Sequence, residues 1–246
     1  MILVMKHVAN EGAGTIIDFF EKVGFGLREV ELYKGDRLSQ DLSDIEAVVS
    51  MGGPMNVYEE DKYPFLKEED IFLKRVIKER IPFLGVCLGS QLLAKAAGAK
   101  VTKAPRKEIG WFKVSLTKDG KHDPLFNGLD GGFEVFQWHG DTFEIPEGGK
   151  HLAASKNCIN QALKVGPSAY GLQFHIEVTE DIIEDWVNGH FHSNGRLQKE
   201  GQRVLNRYPQ IKNRFNEQAN IVYRNFLQLI SARENSKREL TNKVLV

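Results

Sequence analysis

The sequence predicts an α/β fold: a mostly parallel sheet with helices on both faces, joined to a small antiparallel β region and a helical C-terminal extension. Three observations carry this. Short apolar runs alternate with helical-period segments through the first half. Turn residues cut the stretch 100–172 into brief β-like runs, and beyond residue 179 the pattern is helical again.

The elements read in order as follows. Residues 1–5 form a buried strand, 15–22 a helix, 27–32 a second strand and 45–50 a third, which runs into Met51-Gly52-Gly53-Pro54. An amphipathic helix spans 65–79, with Leu66, Ile71, Leu73, Val76 and Ile77 mostly near helical spacing, and stops before Pro82. The apolar run 82–86, bounded by punctuating residues, suits a central parallel strand. Strong helix formers fill 90–97 and end at Gly98, a fitting C-terminal cap. Runs at 111–116, 133–137, 151–155, 161–165 and 170–175 supply the later strands. One or two long amphipathic helices are expected over 197–231, and a frayed helix or disordered tail over 232–246. The domain reading is a single α/β domain over 1–195 with a helical extension, 196–246, packed on it.

Composition narrows the class. Lysine plus arginine and aspartate plus glutamate each total 33, so no charge excess points to nucleic acid or an anionic membrane. Two cysteines, Cys87 and Cys158, form no close-spaced pair that would signal a disulfide framework or a zinc site. The N-terminus lacks a signal-peptide pattern, and no stretch approaches the roughly 20 apolar residues of a membrane helix. A soluble cytoplasmic protein without cofactor or metal, acting on a small molecule or with a protein partner, is the expectation.

Gly85-Val86-Cys87-Leu88-Gly89 has the form of a nucleophile elbow, in which glycines flank a residue held in a tight turn between strand and helix. The turn exposes the side chain and sets the sulfur beside a helix N-terminus, whose free N–H groups favour the thiolate. The bland alternative is a buried structural cysteine. Phe174-His175-Ile176-Glu177 supplies what the elbow lacks: residues two apart at a strand end project from one face, so Glu177 can orient His175 as the base for Cys87. Attack on an amide also needs oxyanion donors, and the N–H groups of Leu88 and of Gly53 in the Gly-Gly-Pro turn are available by position. His139 reads as a packing or hydrogen-bonding residue. His190-Phe191-His192 has no third ligand nearby and reads as a helix end rather than a metal pair.

Gly-Val-Cys-Leu-Gly-Ser-Gln (85–91), Gly-Gly-Pro (52–54) and Phe-His-Ile-Glu (174–177) closely resemble the motifs of class I glutamine amidotransferases. Glu108-Ile109-Gly110-Trp111 and Trp138-His139-Gly140-Asp141-Thr142 resemble segments of the amidotransferase portion of GMP synthase. The resemblance covers about residues 40–190. It implies a flavodoxin-like fold, a γ-glutamyl thioester on Cys87, release of ammonia and glutamate, and a synthetase partner that receives the ammonia. It further implies that Gln91 contacts the bound glutamine, and that Gly140 and Asp141 line its amino-acid end through main-chain groups.

The chain departs from that pattern in three places. The usual N-terminal Asp-x-Gly-x-Gln is replaced by His7-Val8-Ala9-Asn10-Glu11-Gly12-Ala13-Gly14, Met51 separates Ser50 from the Gly-Gly-Pro turn, and nothing after Leu197 resembles an ATP-using synthetase domain. A stand-alone relative is therefore expected. Its competing readings are a γ-glutamyl peptide or amide hydrolase acting alone, and a non-catalytic regulatory or scaffold protein.

Overall fold

The computed structural model describes residues 1–191 and 195–244. Its centre is a nine-stranded sheet in the order β2-β1-β3-β4-β9-β8-β7-β5-β6. Strands β1 (Ile2–Lys6), β2 (Leu27–Glu31), β3 (Ala47–Ser50), β4 (Phe83–Val86) and β9 (Ala169–Leu172) pair in parallel. Strands β5 (Val101–Leu116), β6 (Gly132–Phe143), β7 (Lys150–Ala154) and β8 (Ala162–Val165) continue the sheet in antiparallel pairs. This is the mixed sheet the sequence predicts.

Strands β1, β3, β4 and β9 are almost wholly apolar because both their faces are covered, whereas the edge strand β2 carries Arg28, Glu29 and Glu31. In β1, Ile2 and Val4 join one core while Leu3 and Met5 join the other, as the twofold strand period requires. Helix α1 (Thr15–Lys22) covers the first face with Ile16 and Phe20. Helices α2 (Phe65–Lys78) and α3 (Leu88–Ala96) cover the second with Leu66, Leu73, Val76, Leu92 and Leu93.

Three differences from the sequence expectations have physical causes. Strand β5 begins at Val101, ten residues before the expected start at 111. Residues 102–107 hold three cations and Pro105, so no alternation marks them; pairing with β6 makes them a strand, broken by a register shift between Lys103 and Glu108. Strand β9 ends at Leu172, short of the expected 175, so His175 and Glu177 sit beyond the strand. Helix α4 (Glu180–His190) is followed by one helix, α5 (Gly195–Val244), within the one or two expected, but it runs on through most of the segment 232–246 expected to be a frayed helix or disordered tail. Pro209 lies inside it, where a missing N–H costs about 3 kcal/mol. Packing offsets this: Val204, Tyr208 and Phe215 close one cluster, and Ala219, Val222, Tyr223, Phe226 and Ile230 recur at helical spacing against the first core. His192 lies outside the described residues, as does the 245–246 end of the tail.

Candidate active site

Cys87 joins β4 to α3 with φ 51° and ψ −104°, a left-handed conformation that a residue with a side chain adopts only when its surroundings compel it. Its N–H donates to the Leu172 carbonyl of β9 at 2.8 Å, and α3 begins on the very next residue, two before the expected 90. Both flanking glycines are obligatory. A Cβ on Gly85 would lie 2.5 Å from the Gly89 carbonyl, and one on Gly89 would lie 2.7 Å from the Ser50 carbonyl carbon and closer still to its oxygen. The helix start thus rests directly on β4 and β3. The sulfur is almost fully enclosed, 3.9 Å from the Trp138 carbonyl and 3.8 Å from Gln173 Nε2.

His175 is placed by something other than strand β9. A single bridge to Phe136 of β6 holds it, with His175 N–H donating at 2.8 Å and Phe136 N–H returning at 3.2 Å. Trp186 of α4 packs edge-on against the imidazole at 4.9 Å and donates its indole N–H to the Asn10 carbonyl. Glu177 Oε1 accepts from His175 Nδ1 at 2.7 Å, and Oε2 accepts from the Ile176 N–H at 2.9 Å. Burial works against a charged ring here, but the Glu177 carboxylate, together with Cys87, lifts His175 well above the ordinary imidazole range. Nε2 is buried and makes no hydrogen bond of standard geometry, and Cys87 is the further side chain that acts on the ring. Cysteine, histidine and glutamate therefore come together around one imidazole.

The Gly52-Gly53-Pro54 turn follows β3 and lies over the start of α3, where the Gly89 N–H donates to the Met51 carbonyl at 3.1 Å. Among the described residues, neither the Gly53 nor the Leu88 N–H donates to a protein acceptor. Two charged groups near this turn were not marked as site residues in the sequence. His7, fully buried, contacts the Gly52 carbonyl, and a side chain on Gly52 would run into the Glu11 carboxylate while lying 3.3 Å from His175 Cε1. Burial pushes the Glu11 carboxyl up, with the His175 and His7 rings drawing it down and Glu177 adding to the rise. One signal was present: both residues belong to the 7–14 segment that departs from the family pattern.

A cavity of about 310 Å³ opens beside Cys87, lined by Gly53, Asn56, Gln91, Lys103, Lys107 and Gly140 among others. Larger hollows, of about 830 Å³ between α1 and α5 and about 630 Å³ beside Trp111, contain no cysteine. Gln91 is buried; its amide donates to the Asp141 carbonyl at 3.3 Å and to Gln173 Oε1 at 3.1 Å. The Asp141 carbonyl also faces His139 Nδ1 at 2.9 Å, so this main-chain group, expected to meet a ligand, is committed within the protein. The Asp141 carboxylate takes over at the cavity, accepting from Tyr58 Oη at 2.9 Å with Lys103 Nζ 3.6 Å away.

A second set of ligand-type atoms, on Glu108, His139 and Cys158, lies within 4.8 Å of one another. All three are engaged in hydrogen bonds. Glu108 meets His139 Nε2 at 3.1 Å and accepts from Ser155 and Gln161, while Cys158 Sγ is 3.2 Å from Thr142 Oγ1. Burial pushes the Cys158 thiol up, the opposite of what a nucleophile needs, and neither Cys158 nor Glu108 lines the cavity. The Glu108–His139 contact braces β5 against β6.

Comparison with known proteins adds the following. The family model for class-I glutamine amidotransferases matches residues 15–184. The glutamine amidotransferase-like protein YfeJ of Salmonella typhimurium is 30% identical over 203 residues, covering 81% of this chain and 84% of that one. A GMP synthase of Borrelia garinii is 37% identical over 149 residues, 60% of this chain but only 26% of the synthase. A glutamine amidotransferase structure from Thermotoga maritima superposes with a TM-score of 0.83 at 33% identity, covering 93% of this chain and 97% of that one. Among the described residues, no helix is long and apolar enough to cross a membrane.

Proposed function

The chain belongs to the class-I glutamine amidotransferase family, and from that premise we propose that it hydrolyses the side-chain amide of glutamine through a thioester on Cys87. The observation that carries this reading is the strained Cys87 elbow set against an imidazole whose far nitrogen is fixed at 2.7 Å by Glu177. The Cys87 thiolate, its proton already held on His175 Nε2, attacks the amide carbon, giving a tetrahedral oxyanion. The free N–H groups of Gly53 and Leu88 hold that oxygen. On collapse, His175 protonates the departing nitrogen and ammonia leaves. Water, deprotonated by His175, then opens the γ-glutamyl thioester to release glutamate and restore the thiolate–imidazolium pair. Gln91, Gly140 and Asp141 line the amino-acid end of the substrate, and residues 196–246 act as a helical extension of the same domain.

Ammonia delivery to a synthetase partner belongs to the proposal as well, since the chain spans about a quarter of the length of the GMP synthases it matches. The cavity favours a second reading, a stand-alone γ-glutamyl peptide or amide hydrolase: Lys103 and Lys107 line it beyond Gly140, as would suit a second carboxylate on the leaving amine. Steady-state release of ammonia with glutamate from glutamine, against release of the second amino acid with glutamate from a γ-glutamyl dipeptide, separates the two. Hydroxylamine should trap the thioester as γ-glutamyl hydroxamate. A Cys87→Ala protein that kept its activity would defeat both readings, and an unaltered protein that hydrolysed neither substrate would leave a non-catalytic role.

A further inference from the structure

Of the residues that replace the usual N-terminal motif, His7 is the most deeply built in. It is fully buried, with Nε2 2.7 Å from Glu69 Oε2 and Nδ1 3.1 Å from the Gly52 carbonyl, and Ser50 Oγ donates to the other Glu69 oxygen at 2.7 Å. Glu69 sits on the same stripe of α2 as Leu66, Leu73 and Val76, all of which enter the core. A carboxylate on a core-facing stripe is costly unless fully partnered, and here it is fully partnered. Burial would depress the His7 ring, but Glu69 raises it above the ordinary value, so both nitrogens can donate. The network ends on one atom of interest, the oxygen of Gly52.

That oxygen shares a peptide plane with the Gly53 N–H. The described residues contain no cis peptide, and across a trans peptide C=O and N–H point in opposite directions. A carbonyl drawn into the core by His7 therefore turns the Gly53 N–H outward, and Gly53 lines the cavity that holds Cys87. Glycine on both sides of the bond offers almost no resistance to a flip of that plane, so the orientation needs an external grip. Building on the reading given under Proposed function, we infer that His7 is a positioning residue: its Nδ1–H fixes the Gly52–Gly53 peptide and so keeps the Gly53 N–H aimed at the oxyanion. Glu69 and Ser50 hold His7 in that pose.

Two substitutions divide the ring's contacts. His7→Asn keeps a donor near the Nδ1 position and gives up Glu69; His7→Gln reaches toward Glu69 and leaves the Gly52 carbonyl without a donor. Two measurements are made on each full-length variant, glutamine hydrolysis and the rate at which iodoacetamide alkylates Cys87. Alkylation needs the thiolate but forms no oxyanion, so it reports an intact Cys87–His175 pair independently of the Gly53 N–H. His7→Gln should lose about 10- to 1,000-fold in kcat, the range expected for a misdirected oxyanion donor, with KM within about threefold and alkylation within about twofold. His7→Asn should stay within about tenfold of the unaltered kcat. A His7→Gln protein with unaltered kcat, or one no worse than His7→Asn, overturns the inference, as does parallel loss of alkylation and hydrolysis. If the unaltered protein hydrolyses neither glutamine nor a γ-glutamyl dipeptide, the underlying reading has failed and takes the inference with it.

Discussion

Replacing Glu177 with glutamine changes one atom and one charge at the most enclosed point of the site. Both partners of the His175–Glu177 pair are at most 2% exposed, so solvent does little to screen them. At 2.7 Å and an effective dielectric of ~20, two unit charges attract by ~6 kcal/mol, from 332/(20 × 2.7). The imidazolium charge is shared between two nitrogens and an amide oxygen still accepts a hydrogen bond, so about half of this, ~3 kcal/mol or ~10²-fold in rate, is lost. The local geometry adds a second cost. Glu177 accepts from His175 Nδ1 with one oxygen and from the Ile176 N–H with the other, whereas glutamine has a single acceptor. Either the amide N–H₂ faces His175 and selects the wrong tautomer, or it faces the Ile176 N–H and leaves a buried donor unmet, a penalty of about 1–3 kcal/mol. The expected outcome is a fall of ~10²- to 10⁴-fold in kcat/KM for glutamine, with KM little changed. Because Glu177 holds His175 protonated, the pH above which Cys87 alkylation ceases to depend on the imidazolium should also move down. A Glu177→Gln protein within twofold of the unaltered kcat/KM, with the same pH profile, would refute the assignment of Glu177 as the group that orients the base.

Two further outcomes follow from local packing and charge. In Gly89→Ala the new methyl meets the Ser50 backbone, which cannot swing aside, so α3 must lift from β3; overpacking of about 1–3 kcal/mol lowers Tm by ~2–4 °C per kcal/mol for a chain of this size, and an unchanged melting curve contradicts the close approach. Glu11 has a folded value raised above its ordinary ~4.3, so its ionisation opposes folding: stability is lost as pH rises from about 4.3 through the folded value. Glu11→Gln removes that loss, and its urea midpoint should gain on the unaltered protein as pH rises over this interval; a gap that stays constant with pH rules out the strained carboxyl.

The elbow and its partners were legible in the sequence because their constraints are local. Gly85 and Gly89 are required by contacts within four residues or with the adjacent strand, and Cys87 by the strand-to-helix turn between them. The apposition of His175 and Glu177 was also foreseen, but for the wrong reason: β9 stops at Leu172, and the bridge to Phe136 does the placing. Such a bridge joins residues 39 positions apart in the chain and leaves no periodic trace. The same limit hid the first half of β5, whose charged residues become a strand only through β6. His7 and Glu69, 62 residues apart, show no motif between them, though a charge on the apolar stripe of α2 was the one visible anomaly.

His175, the base of the proposed mechanism, is thus held from a different part of the fold than Cys87, its proposed nucleophile. Cys87 depends on the parallel strands β3, β4 and β9, and its position is fixed by backbone contacts that tolerate no side chain. The His175-Ile176-Glu177 segment depends on β6, on α1 and on α5. The Thr15 N–H donates to the Glu177 carbonyl at 3.0 Å, and Tyr223 of α5, fully buried, donates to the Ile176 carbonyl at 3.1 Å while its oxygen also meets Thr15 Oγ1 at 2.9 Å. Burial, with the Glu177 and Asp18 charges nearby, holds the Tyr223 hydroxyl well above its ordinary value, so it stays a donor across the physiological range. A helix that begins at residue 195 therefore reaches back to steady the main chain just before the glutamate, while Thr15 of α1 holds the carbonyl after it. Under the proposed mechanism, displacing α5 would move the imidazole relative to the sulfur, so this helix would serve proton transfer as well as the core.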